Sequence, residues 1–428
     1  MRDPALERFE ALFGPEFGHG KPFDPNPLRA ALSALGNPHE RLPPVIHVAG
    51  TNGKGSTIAF MRAIAEAAGL AVHAFTKPHL FALNERFVVA GEPVQTEVLI
   101  AVGQRVAAVA PNLTQFDAQV AAAFLLFSET PAALVLLETG MGGRDDSTNV
   151  ITKPLLSVIT PVGIDHQDAL GATLPEIATH KAGVIKHGVP VVVARQQDVV
   201  RDILGVTAER LGAPLHLKGV EWDALSNSGR LVLQTETRVL DLPLPALYGA
   251  HQIDNAGLAC AALLAQTHHR ISDDAFTQGV TNAVWPARLQ PLTRGPFSAP
   301  IRAIGGEAWI DGAHNAHGAQ AVAQTLSTMR RRREAPTIAI IGMLARKDSQ
   351  SFITALASAV DRIIAVPLSD PHIEPALIAS QAEALGINAT TAPSLAAAMQ
   401  DAAQFPAPRV LITGSFVLAA EALAAESA

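Results

Sequence analysis

The sequence predicts an α/β protein of two domains, each built on a largely parallel sheet. Three observations carry that prediction. Short β-branched runs alternate with alanine-rich helical stretches along the chain, the pattern of strands joined by crossover helices and covered on both faces. At 428 residues the chain is too long for one compact core. Its residues are 48% hydrophobic, enough to fill real cores and unlike a disordered chain.

The runs that read as strands are 45–48, 133–137, 155–159, 189–193, 338–341, 362–366 and 410–413. The stretch 215–244 reads differently. Its period-2 segments, such as Arg230-Leu-Val-Leu-Gln, predict a small antiparallel insert. A Pro-, Gly- and Ser-rich break between Pro286 and Pro300 precedes a new strand at 307–310. It sets the expected domains at 1–290 and 300–428, with 291–299 as linker. The second domain reads as Rossmann-like α/β.

Charge and composition remove several function classes. A net charge of −7 argues against a nucleic-acid binder, which needs a basic face. The one basic run, Arg330 to Arg333, is expected to cap the exposed end of a helix. The single cysteine, Cys260, lies in an apolar run and reads as core; it fits a reducing cytoplasm. Residues 1–17 are charged and lack an apolar centre, so no signal peptide is expected. No run reaches roughly 18 apolar residues, so no membrane span is expected. A cytoplasmic monomer is the expectation.

The chemistry starts where the strand 45–48 ends. Gly50-Thr51-Asn52-Gly53-Lys54-Gly55-Ser56-Thr57 follows it, and then a helical pattern over 57–68. Glycines let the backbone bend so that N–H groups face phosphate oxygens. Lys54 adds a cation, and the helix adds its positive end. The spacing is shorter than in the common P-loop, because only Thr51 and Asn52 separate Gly50 from Gly53-Lys54. The loop is therefore expected to cradle phosphate groups in a P-loop-type domain.

Three further clusters follow. The strand 133–137 runs into Glu138, then Gly140-Met-Gly-Gly-Arg144-Asp145-Asp146. An acid at the carboxyl end of a parallel strand lies where ligands bind in open α/β sheets, and beside a P-loop its natural work is Mg²⁺ coordination. Asp165-His166 ends the stretch after the strand 155–159 and faces the same crevice. Lys181 lies on a helix before a turn and, taken alone, reads as a surface lysine.

In this order the clusters resemble the folylpolyglutamate/dihydrofolate synthases of the Mur ligase superfamily. Also similar are His251-Gln-x-x-Asn255, Trp285-Pro-Ala-Arg288, Asp311-Gly-Ala-His314-Asn, Gly342-Met-Leu-x-x-Lys347 and Gly414-Ser-Phe416. The resemblance runs from about residue 20 to the end. It implies an ATP-dependent ligase that activates a carboxylate as an acyl phosphate and joins it to L-glutamate. Gly50, Thr51, Asn52, Gly53, Lys54, Gly55 and Ser56 would hold the phosphates. Asn255, Arg288 and Asp311 would contact ATP, with Asp311 in the second domain, so that closure assembles the site. Glu138 and His166 would coordinate Mg²⁺. Lys181 matches a lysine that family members carbamylate, and its added carboxylate would help hold a second Mg²⁺. His314 would position the γ-phosphate or the intermediate, or else stabilise its turn.

The resemblance loosens on the acceptor side. Thr76-Lys77-Pro-His-Leu80 carries Lys77 where the family has serine. Thr114-Gln-Phe116-Asp117 ends one methylene short of the family's glutamate, Asp145 replaces an apolar residue beside Asp146, and the N-terminal substrate loop reads Phe23-Asp-Pro-Asn26. The expected acceptor is dihydropteroate or a folate. A non-folate carboxylate stays open, as do a P-loop regulatory protein and, more remotely, a nicotinamide dehydrogenase, which lacks its Gly-x-Gly-x-x-Gly turn here.

Overall fold

The protein is described from a computed structural model, which covers residues 3–13 and 24–428. Phe23 of the substrate loop and part of the stretch 1–17 lie outside the described residues. The chain divides into two compact units, one of Met1–Ala246 with Ile253–Val284, the other of Leu247–Gln252 with Trp285–Ala428.

The first unit is built on eight strands: β1 (Val45–Ala49), β2 (Val72–Phe75), β3 (Phe87–Val89), β4 (Glu92–Pro93), β5 (Leu134–Glu138), β6 (Leu156–Ile159), β7 (Val191–Val193) and β8 (Leu215–Leu217). Their order is β4-β3-β2-β5-β1-β6-β7-β8. Strands β2 to β8 in this order run parallel, and only β3 and β4 pair antiparallel at one edge. β1 sits between β5 and β6, so the chain's winding reverses around it and opens a crevice at the carboxyl ends of these three strands.

All five residues of β1 and all five of β5 are buried, as a doubly covered sheet demands. Each fully buried Val, Leu or Ile there contributes about 1.5–3 kcal/mol. One face packs on the helix Gln115–Glu129, which carries Phe124 and Phe127 into the core. The other side of the fold is closed by Ile177, Val184, Val200 and Leu204. That framework holds the carboxyl edge of the sheet still, which is where the site lies.

The antiparallel insert is β9 (Trp222–Asn227), β10 (Arg230–Thr235) and β11 (Val239–Pro243), in order β11-β10-β9. It begins later than the sequence suggested. Leu215–Leu217 belongs to the main sheet, parallel to β7, because the helix Asp198–Arg210 returns the chain for one more crossover. Three residues are too few to show a period.

The second unit holds β12 (Gln290–Leu292), β13 (Glu307–Ile310), β14 (Thr337–Ile341), β15 (Arg362–Ala365), β16 (Asn388–Thr391) and β17 (Arg409–Thr413), ordered β12-β13-β17-β14-β15-β16. Only β12 is antiparallel to its neighbour. The stretch read as linker is tied down: β12 pairs with β13, and Gly295 and Ser298 donate backbone N–H groups to Glu426. The α/β class with parallel sheets, an antiparallel insert and a second α/β unit is as the sequence predicted. Cys260 is fully buried. Among the described residues no helix is long and apolar enough to cross a membrane.

Candidate active site

The loop after β1 carries the centre of the site. Gly53 takes φ +90° and starts the helix Lys54–Ala67, a conformation that a Cβ would strain. Gly50 passes so close to Thr160 that a Cβ would lie 1.9 Å from its Oγ1. The loop is pinned to the one after β6: Thr51 N–H donates to Pro161 O at 3.0 Å, Thr51 Oγ1 donates to Gly163 O at 2.9 Å, and Gly163 N–H donates back to Thr51 Oγ1. Gln196 braces that second loop by accepting from Val162 N–H and donating to Thr160 O.

Three lysines enter this edge of the sheet. Lys54 Nζ donates to Gly50 O at 3.0 Å and Thr51 O at 3.2 Å, and lies 3.9 Å from Glu138 Oε1. Lys181 Nζ donates to the same Gly50 O at 2.8 Å. Lys181 is only 4% exposed, so the surface reading of this residue is corrected. Lys181 lies on the buried face of the helix Leu174–Ala182 with Ile177, Ala178 and Ala182, which the residue taken alone does not reveal. Burial, with Lys54 beside it, holds the Lys181 amine well below the usual lysine range. Lys77 follows β2 and is partly buried. Its backbone N–H donates to Glu138 Oε2 at 3.2 Å, and its ammonium lies 5.6 Å from the centre of the Phe116 ring. Desolvation first, then the charge of Lys54, brings it down to about 8.

Glu138, at the end of β5, is buried and stands between Lys54 and Lys77. His166 takes a left-handed backbone at the start of the short helix Gln167–Leu170, with its imidazole near Asp165 and substantially exposed. Among the described residues no three His, Cys, Asp or Glu side chains form a ready metal cluster. A cation there would need hydroxyl, phosphate or carbamate oxygens beside Glu138. Asn255 places its Oδ1 2.6 Å from where a Gly53 Cβ would be, so it lines the phosphate loop.

The residues expected on the acceptor side form a second layer. Thr114 caps the helix Gln115–Glu129 and donates its hydroxyl to Asp117 Oδ2 at 2.7 Å, while Ser147 Oγ donates to Asp117 Oδ1 at 2.7 Å. Burial raises the Asp117 carboxyl despite these bonds. Asp146 accepts from Met141 N–H, Thr148 N–H and Thr148 Oγ1, and so shapes the turn after β5. Phe116 packs on Gly140 and lies 6.1 Å from the Phe75 ring. Asp145 is exposed and pairs with Arg144 and with His180 at 3.3 Å. The sequence reading did not single out His47 on β1. It is fully buried, and its Nε2 lies 2.8 Å from Thr148 Oγ1.

In the second unit Asp311 is buried, and its two oxygens accept from Leu289 N–H at 2.8 Å and Ala313 N–H at 2.7 Å. The Arg288 guanidinium stacks 4.7 Å from the Phe416 ring, and His314 lies 5.6 Å from the same ring with its Nδ1 2.9 Å from Gly312 O. Phe416 therefore gathers two of the residues picked from the sequence. It stood in a matching motif without a role.

Comparison with known proteins agrees with this geometry. Residues 48–263 match the Mur ligase middle domain, and residues 301–416 match the Mur ligase glutamate ligase domain. The dihydrofolate synthase/folylpolyglutamate synthase of Bacillus subtilis is 37% identical over 316 residues, covering 70% of this chain and 71% of that protein. The folylpolyglutamate synthase of Lacticaseibacillus casei is 32% identical, covering 91% of each. The structure of E. coli FolC in complex with DHPP and ADP superposes with a TM-score of 0.86 at 28% identity, over 98% of this chain and 96% of that one. A bifunctional folylpolyglutamate synthase/dihydrofolate synthase with Mn, AMPPNP and L-glutamate bound gives 0.84 at 28%, over 99% and 97%. This chain belongs to the folylpolyglutamate/dihydrofolate synthase family of the Mur ligases.

Proposed function

We propose that this protein is an ATP-dependent ligase that joins L-glutamate to dihydropteroate or a folate. The observation that carries the reading is the meeting of Lys54 and Lys181 on the Gly50 carbonyl, with Glu138 3.9 Å from Lys54. A glycine-rich turn, one buried and one partly buried amine, and one buried acid at the crevice of a parallel sheet suit a polyphosphate and its counter-charges.

A carboxylate is a poor acyl donor because its oxygen is a poor leaving group. Transfer of the γ-phosphoryl group of ATP to it gives an acyl phosphate; the amine of glutamate attacks the acyl carbon, and phosphate leaves. Gly50 to Ser56 cradle the phosphates through backbone N–H groups and the helix end. Lys54 neutralises charge on the transferred group. Asn255, Arg288 and Asp311 are assigned to ATP, and His314 to the γ-phosphate or the intermediate. Thr114, Phe116, Asp117, Asp145 and Asp146 are assigned to the acceptor, with Phe116 as its flat apolar wall.

Oxygen donors suit Mg²⁺, and Glu138 fits such a site. Glu138 and His166 would hold one ion. Lys181 would join a second as its carbamate, since an ammonium cannot coordinate. Bound Mg²⁺ supplies charge neutralisation for phosphoryl transfer. We place the enzyme in the cytoplasm as a monomer. The experiment is ADP release from purified protein with dihydropteroate or tetrahydrofolate, glutamate and Mg²⁺. ADP that depends on all three supports the reading; ADP release independent of carboxylate and amine points to a P-loop regulator instead.

A further inference from the structure

We propose that Lys77 recognises the anionic end of the acceptor, pairing its ammonium with the carboxylate that is to be activated. The inference rests on the ligase reading and adds the residue that selects the substrate's charge. The three lysines at this edge of the sheet are placed differently. Lys54 gives N–H groups to the carbonyls of Gly50 and Thr51, and Lys181 gives one to Gly50. The Lys77 ammonium forms no ion pair or hydrogen bond among the described residues; it has the face of Phe116 at 5.6 Å. A partly desolvated cation above a ring face gains from an added anion more than a hydrated surface lysine does.

The neighbouring acids Asp146 and Glu138 act on the Lys77 ammonium through their charge but form no ion pair with it. Both oxygens of Asp117 are taken by Thr114 and Ser147, and both of Asp146 by Met141 and Thr148. Glu138 takes the Lys77 backbone N–H, and its Oε1 lies near Lys54. The ring under the ammonium belongs to the acceptor-side helix Gln115–Glu129, so the free charge stands where an aromatic acid can lay its body on Phe116. The ligand class is a carboxylic acid with a flat apolar body.

The test compares dihydropteroate with its carboxamide, by calorimetry without nucleotide or metal, on wild type, Lys77→Met and Lys77→Arg. Wild type is expected to prefer the acid. Lys77→Met loses about tenfold to a hundredfold in affinity for the acid and nothing for the carboxamide. Lys77→Arg keeps most of the preference, and affinity for ADP is unchanged in both. Thermal unfolding confirms that the variants fold, which removal of a partly buried charge favours. An acid-to-carboxamide ratio in Lys77→Met equal to that of wild type, in an enzyme that turns over, overturns the role of Lys77 alone. No ADP release by wild type with any carboxylic acid and glutamate overturns the ligase reading, and this inference with it.

Discussion

The Lys181 ammonium donates to the Gly50 carbonyl at 2.8 Å, which joins the helix Leu174–Ala182 to the phosphate loop. An amine this buried is held well below the ordinary lysine range by desolvation. It therefore yields free amine readily, and a free amine is the form that adds CO₂. We expect ¹³C-bicarbonate to give a carbamate resonance in wild type that is missing in Lys181→Arg. Activity in Lys181→Met should fall by about a hundredfold or more, while stability holds, because a buried cation has been removed. Identical spectra for wild type and Lys181→Arg would rule the carbamate out.

Gly140 is set by its neighbour and not by its backbone angle. A Cβ there would lie 2.4 Å from two atoms of the Phe116 ring and 3.0 Å from Asp146 Oδ2. Gly140→Ala must displace the ring, at a cost of about 1–3 kcal/mol. The acceptor KM should rise severalfold with ADP affinity unchanged, since the phosphate loop is untouched. A rise in the nucleotide constant with the acceptor constant intact would contradict the assignment of Phe116 to the acceptor.

The fold was largely legible because long β-branched runs and alanine-rich helices keep distinct periods, and β1, β5, β6 and β14 fall within a residue or two of expectation. β2, β4, β12 and β16 were not read, since these short runs lack the continuous apolar β-branched stretches that marked β7 and β15. β3 was not read either. Within the site, motif letters found Lys54, Glu138 and Lys181. They could not show that Lys181 is buried, that Asp145 turns to His180, or that Phe416 seats Arg288 and His314. Those facts depend on packing between segments far apart in sequence. The hydrogen bond from His47 to Thr148 is of the same kind: a histidine within a strand looks like any other until its partner is known.

Asp311 has a structural duty whatever it does for ATP. Its carboxylate holds the N–H groups of Leu289 and Ala313. Asp311→Ala strands both donors, at about 1–3 kcal/mol each; Asp311→Asn keeps one acceptor oxygen and should fall between the variant and wild type. Urea unfolding of the three proteins tests the order. Equal midpoints for Asp311→Ala and wild type would mean that neither bond matters to stability.

His47 predicts how stability changes with acidity. Thr148 gives its one hydroxyl proton to Asp146 at 2.6 Å, so it must accept from His47 Nε2–H at 2.8 Å. The other nitrogen, Nδ1, is buried without a partner. A second proton would place a charge in the middle of β1, and desolvation first, then Lys186, pushes the imidazole from the ordinary 6.5 to about 3. Between those values the unfolded chain binds a proton here that the folded chain refuses. Stability therefore rises with pH across this window and is lost as pH falls below 6.5, with a slope that approaches about 1.4 kcal/mol per pH unit from this residue. Above 6.5 His47 adds no slope. His47→Gln keeps an N–H for Thr148 and removes the titration, so its unfolding free energy should fall less steeply between pH 6.5 and 4.5 than that of wild type. Urea titrations at several pH values read the two slopes directly, and parallel curves would show that the buried imidazole is not the group that titrates.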